Sequence, residues 1–203
     1  MAQLFRALRH RDFRLYIVGQ VVSLTGTWMQ SVALSWLVYR LTKSTLLMGT
    51  VGFATHIPVL LLAPLGGVAA DRYPRRRTVI VMQALLMAQA VTLAALNYSG
   101  HIQVWMITLL ALAMGVFNAF EIPARQALYV HMVGKEDLPN AIALNSMTFN
   151  LARVTGPPLG GFFVALLGES ACFTFNAVSF VAVLWCFMAM RTPEMELEAG
   201  QSP

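Results

Sequence analysis

Six runs of roughly twenty apolar residues, separated by short polar breaks, most restrict what this chain folds into. A helix needs about 20 such residues to cross the hydrocarbon core of a bilayer. The runs extend from Leu15 to about Tyr39, Leu46 to Ala70, Thr78 to about Asn97, Val104 to about Phe120, Asn140 to Leu167, and Ala171 to Met190. The fourth is expected to continue as helix beyond the bilayer toward His131, and Pro139 leads into the fifth. Composition agrees: only 11% of the residues are charged, against roughly a quarter in a soluble domain. The expectation is an all-α membrane protein of six transmembrane helices. Residues 1–14 form a basic lead-in, 15–190 the bundle and 191–203 an acidic tail or linker carrying Glu194, Glu196 and Glu198.

The net charge of +5 does not describe a nucleic-acid patch, because the arginines sit in the breaks between apolar runs. One side collects eleven Lys and Arg: Arg6, Arg9, Arg11, Arg14, Arg72, Arg75, Arg76, Arg77, Arg125, Lys135 and Arg191. The other has two, Arg40 and Lys43. By the positive-inside rule this places both termini and the 66–77 loop in the cytoplasm. An even number of spans is consistent with termini on one side. The first run follows a basic segment but is longer than a signal core and lacks a convincing cleavage site, so it reads as a membrane helix. Cys172 and Cys186 lie in one span, too far apart to bridge, and read as ordinary buried residues.

Three places carry polar chemistry. The first is the break Gly66–Arg77, GGVAADRYPRRR. Gly66 and Gly67 allow close helix approach, Asp71 and Arg72 sit at the membrane surface, and Pro74 forces a turn. The second is the first span, where Gln20, Ser23, Thr27, Gln30 and Ser31 share one face beside Gly19 and Gly26. That face serves either helix packing or the wall of a water-filled cavity. The third is the fifth span. Arg153 lies about 20 Å along it, where an unpaired charge is costly and is expected to face the bundle interior. Its role is either functional or gating, or else structural pairing or snorkelling. Gly156-Pro157-Pro158-Leu159-Gly160-Gly161 follows, a kinked or close-packing face. Glu121 and Arg125 stand four apart, spaced to pair on one helix face. His56, before Pro58, reads as a neutral packing residue rather than a proton carrier.

The Gly67, Asp71, Arg72, Arg75, Arg76 pattern resembles the loop between the second and third helices of major facilitator superfamily transporters, G-x-x-x-D-R-x-G-R-R, with Pro74 where the family usually has glycine. Gly156-Pro157…Gly160-Gly161 is similar to the core of the fifth-helix motif of family antiporters, although Ala152 replaces a glycine four residues earlier. Pro123-Ala-Arg-Gln, Asp137-Leu-Pro-Asn-Ala-Ile-Ala-Leu-Asn-Ser and Asn150-Leu-Ala-Arg-Val-Thr-Gly-Pro resemble the branch with enterobactin exporters and macrolide efflux proteins. Many proton-coupled members carry arginine four residues before a glycine of the fourth helix, but Ala111 precedes Gly115 here, which leaves proton coupling open.

The resemblance implies the N-terminal half of a major facilitator fold, a 3+3 inverted repeat working by alternating access. It implies a bacterial inner-membrane antiporter that exports an amphipathic drug or siderophore. A second six-helix half is then the expected partner, as the same gene, a separate chain or a homodimer. Asp71, Arg72, Glu121 and Arg125 would form a charge cluster holding one state closed, the alternative being a local ion pair. Gln20, Thr27, Gln30 and Arg153 are the cavity or coupling candidates. The competing reading is a non-transporting membrane subunit or an inactive fragment. There is no Gly-x-x-x-x-Gly-Lys loop for an ATP-driven pump, no metal-ligand spacing and no nucleophile motif. An enzyme, a cofactor or a metal is therefore not expected.

Overall fold

A computed structural model describes residues 5–190. The expected acidic tail, with Arg191 at its start, lies outside the described residues. A 3-10 turn, Arg6–Arg9, is followed by α1 (Arg11–Thr42), α2 (Thr45–Arg72), α3 (Arg75–Tyr98), α4 (Val104–Leu167) and α5 (Glu169–Ala189). Among the described residues, these five helices are long and apolar enough to cross a membrane.

The breaks have local causes. Lys43 takes a left-handed conformation (φ 52°, ψ 22°) at the end of α1, and the Ser44 hydroxyl accepts the Leu47 amide at 3.3 Å to start α2. This is ordinary N-capping. Pro74 ends α2, because its ring pushes Tyr73 into extended backbone (φ −110°, ψ 153°). Gly168 (φ 78°, ψ 173°) separates α4 from α5.

At 64 residues, α4 would be a rod of about 96 Å at the helical rise, far longer than one crossing. It is broken at Gly134, whose φ of 72° and ψ of 173° are non-helical and essentially restricted to glycine. Tyr16 shows what the break does. Its hydroxyl hydrogen-bonds both Tyr129 (2.9 Å) and Asn145 (2.6 Å). Those two residues would stand about 24 Å apart on a straight helix, so the limbs 104–133 and 135–167 fold back on each other. Helix does continue from the fourth apolar run past His131, and the fifth run begins as helix at 135, about a turn earlier than its apolar start.

The interior has two apolar clusters. One gathers Phe13, Tyr16, Val79, Leu86, Leu128, Val183 and Phe187; the other Met29, Leu37, Val38, Leu93, Ile107, Cys172 and Phe173. Glycines set the close approaches. A Cβ on Gly66 would meet the Ala119 carbonyl, one on Gly115 the Thr55 carbonyl, and one on Gly160 the Met29 backbone. By contrast α2 packs on one side only, through Val51, Ala54, Pro58, Gly66 and Ala70, and leaves Leu46, Phe53, Leu60 and Leu61 largely exposed. An apolar face of that size is suited to lipid or to another membrane protein.

Candidate functional site

Burial forces the polar side chains inside the helices to find one another. At the end of the bundle that carries Arg72–Arg77, Glu121 is 3% exposed. Its Oε1 accepts from Arg125 Nε at 2.8 Å and from Gln83 Nε2 at 3.0 Å. Arg125 then donates to the Tyr16 and Tyr129 hydroxyls at 3.0 and 3.1 Å, and the Tyr16 hydroxyl donates to Asn145. One network thus ties α1, α3 and both limbs of α4. The Glu121–Arg125 spacing gave the central pair. Tyr16, Gln83, Tyr129 and Asn145 were not foreseen, since no local pattern links residues from four separate segments.

The expected four-member charge cluster does not assemble within this chain. Asp71 and Arg72 are exposed, and no hydrogen bond or ion pair with either is found among the described residues. Glu121 and Arg125 are instead drawn inward by their tyrosine and glutamine partners. Of the other loop arginines, Arg75 and Arg76 are engaged, while Arg77 is exposed. Arg75 bonds the Ala70 carbonyl and His131 Nε2. Arg76 donates to the Phe187 and Met188 carbonyls at 3.0 and 3.1 Å, capping the C-terminal end of α5, where a cation is favoured. Gly66 makes the close approach expected of the pair, while a Cβ on Gly67 would meet nothing within 4 Å.

Of the polar face expected on the first span, Gln20, Ser23 and Gln30 are buried in the bundle and Thr27 is half-buried, but Ser31 is exposed. Gln20 and Gln30 are each 2% exposed. Gln30 donates to Gln89 at 3.3 Å and accepts from Asn176 at 2.9 Å. Half-buried Thr27 donates to the Ser23 carbonyl at 3.0 Å and reaches Asn176 at 3.4 Å. A belt of amides joining α1, α3 and α5 therefore takes up Gln30 and Thr27, while the buried Gln20 Nε2 has no hydrogen-bond partner among the described residues. The exposed side of α1 lies elsewhere. There Ser31, Ser35, Trp36 and Tyr39, with Thr45 and Met48 of α2, line an open groove of about 530 Å³.

Arg153 does not face the interior. It is exposed, and no partner for it is found among the described residues. On its limb, Ala141, Thr148, Ala152, Gly156 and Gly160 are buried and form the packing stripe. Gly156 lies against the Trp28 side chain and Gly160 against Met29, with Phe149 edge-on to Trp28 at 5.9 Å. Pro157 is half-buried, and Gly161 is exposed with open space where a Cβ would stand. Of the fifth-span motif, then, Gly156 and Gly160 pack within this chain and Gly161 does not. His56 is also exposed rather than packed, because the buried edge of α2 runs through Ala54 and Pro58 beside it.

Two ion pairs close the ends of the bundle. Arg40 meets Glu169 at 2.7 Å across α1 and α5. Arg6 and His10 meet Asp137 at 2.8 and 2.9 Å, holding the 3-10 turn against the start of the second limb. No group of three or more potential metal ligands occurs among the described residues.

Residues 2–200 match the family model described as transmembrane secretion effector. The chain belongs to this family of the major facilitator superfamily. This superfamily chain is 29% identical over 175 residues to the staphyloferrin A transporter of Staphylococcus aureus, covering 83% of this chain and 44% of that protein. It is 25% identical to the multidrug efflux pump Tap of Mycolicibacterium fortuitum over 93% of this chain and 46% of the pump. It is 26% identical to the enterobactin exporter EntS of Salmonella choleraesuis over 91% of this chain and 45% of the exporter. The chain therefore spans under half the length of these curated relatives.

Proposed function

We propose that this chain is the N-terminal half of a secondary active exporter that moves an amphipathic small molecule, of the drug or siderophore kind, by alternating access. The observation that carries the reading is the match of residues 2–200 to a secretion-effector family whose curated relatives are twice as long and are named as transporters and efflux pumps. With the two limbs of α4 each crossing the bilayer, the chain has six crossings, arranged as two inverted repeats of three. The Lys and Arg asymmetry then puts both termini in the cytoplasm and the bundle in a bacterial inner membrane.

The partner is a second six-helix half. The uncovered faces support this. On α2, Gly49, Gly52, His56, Ala63 and Gly67 recur at helical spacing, and the three glycines have open space where a Cβ would stand. Small residues at such spacing let a second helix approach closely. Gly161 is the corresponding open position on the second limb of α4. Asp71 and Arg72, free in this half, supply charges that the second half meets in one state and releases in the other, while the buried Glu121–Arg125 network keeps this half rigid as it rocks. The exchange partner is an ion, as expected of an antiporter.

The test is efflux of dyes, macrolides and catecholate siderophores from cells expressing the whole gene. Export is expected to fall sharply with Asp71→Asn while the protein's thermal unfolding is unchanged. Full export by Asp71→Asn contradicts the gate.

A further inference from the structure

We infer that the transport passage selects for an anionic group on its substrate, and that Arg153 is the residue that binds it. The inference rests on the exporter reading above and adds the charge class of the substrate.

Three observations converge. First, depth. Arg153 is one turn from Gly156, which packs on Trp28, close to the middle of α1 (Arg11–Thr42). It is thus level with the centre of the bundle, where snorkelling to a headgroup is longest. Second, direction. Ser146, Asn150, Arg153, Pro157 and Gly161 fall at spacings of four, three, four and four, on one face of the second limb. Ser146, Asn150, Arg153 and Gly161 are exposed from this half and Pro157 is half-buried. The neighbouring face carries Met147, Leu151 and Val154, all strongly exposed and apolar. A membrane helix with separate buried, apolar and polar faces turns the polar one away from lipid, toward water or protein.

Third, charge balance. Among the buried acids, Glu121 is neutralised by Arg125 and Glu169 by Arg40. Asp137 is held by Arg6 and His10 at the bundle's end. No described acid meets Arg153, so the middle of this half carries one uncompensated positive charge. A guanidinium there presents planar donors matched to a carboxylate or a deprotonated catechol, with the Asn150 and Ser146 side chains one and two turns away on the same face.

The probe pair is pyrenebutyrate and its neutral primary amide, pyrenebutyramide, which share one apolar body. Affinity is measured on the transporter isolated in nanodiscs from cells expressing its whole gene, and export of both probes is followed from proteoliposomes. Wild type is expected to bind the acid at least about tenfold more tightly than the amide, the discrimination of a charge-assisted hydrogen bond. Arg153→Gln should remove that preference and leave amide binding unchanged. Arg153→Lys should keep most of it. Equal binding of acid and amide by wild type overturns the inference. So does an Arg153→Gln protein that loses both ligands together, which is the signature of a structural ion pair with the second half. Charge-selective binding without export keeps the inference and contradicts the exporter reading; export without charge preference does the reverse.

Discussion

Glu121 and Arg125 show how much one buried pair depends on its surroundings. The two charges sit in the bundle with side-chain exposures of 3% and 13%, and Gln83 donates to Glu121 while Arg125 donates to Tyr16 and Tyr129. Removing one partner leaves an uncompensated charge, which costs about 3–5 kcal/mol. Glu121→Ala should therefore lower the thermal unfolding temperature in detergent far more than Tyr16→Phe, for which a cost of about 1–3 kcal/mol is expected from lost hydrogen bonds. Equal, small shifts for both contradict a shared network. Asp71→Asn should not move the same transition, since Asp71 is exposed and meets no described residue. The Glu121–Arg125 pair was legible because its members lie four apart on one helix. Tyr16, Gln83 and Asn145 were not, because tertiary packing alone brings them to it. The outward direction of Arg153 was equally hidden: polar and apolar residues are mixed around it in sequence, and only the burial of Ala152 and Gly156 fixes which way it points.

Among the helices, long apolar runs bounded by charge or proline made the elements readable. The Pro74 break between α2 and α3 falls where the sequence placed a turn. The reversal at Gly134 was less visible, because helix runs up to it on one side and resumes at once on the other. A side chain at φ 72° and ψ 173° is strained by about 1–3 kcal/mol, so Gly134→Ala should destabilise the protein by that amount, read as a lowered unfolding temperature. An unchanged transition contradicts the turn. The fifth-span motif allows a sharper comparison. Gly160→Ala pushes a methyl to 2.9 Å from the Met29 Cα, and overpacking of this kind costs about 1–3 kcal/mol. Gly161→Ala meets nothing within 4 Å in this chain and should leave its stability alone. If Gly161→Ala nevertheless abolishes export, that glycine packs against the second half. The α1 polar face teaches the opposite lesson to Arg153: Gln20, Ser23, Thr27 and Gln30 were rightly grouped, yet grouping alone did not distinguish a cavity wall from a buried amide belt.

For the whole molecule, the proposed six crossings and their direction rest on the reversal at Gly134 together with the charge asymmetry. Both native cysteines are buried, so introduced ones report cleanly. Ser99→Cys, on the α3–α4 connection, should react with an impermeant maleimide in intact cells, and Lys135→Cys only after permeabilisation. Labelling of both from outside contradicts the topology. The central claim, that this chain is half of an exporter, is tested most directly by efflux from cells expressing residues 1–203 with and without a matching C-terminal half. The account predicts export of at least one dye, macrolide or catecholate when both halves are present and none from the chain alone. Equal export by the chain alone, or none by the folded pair, contradicts it.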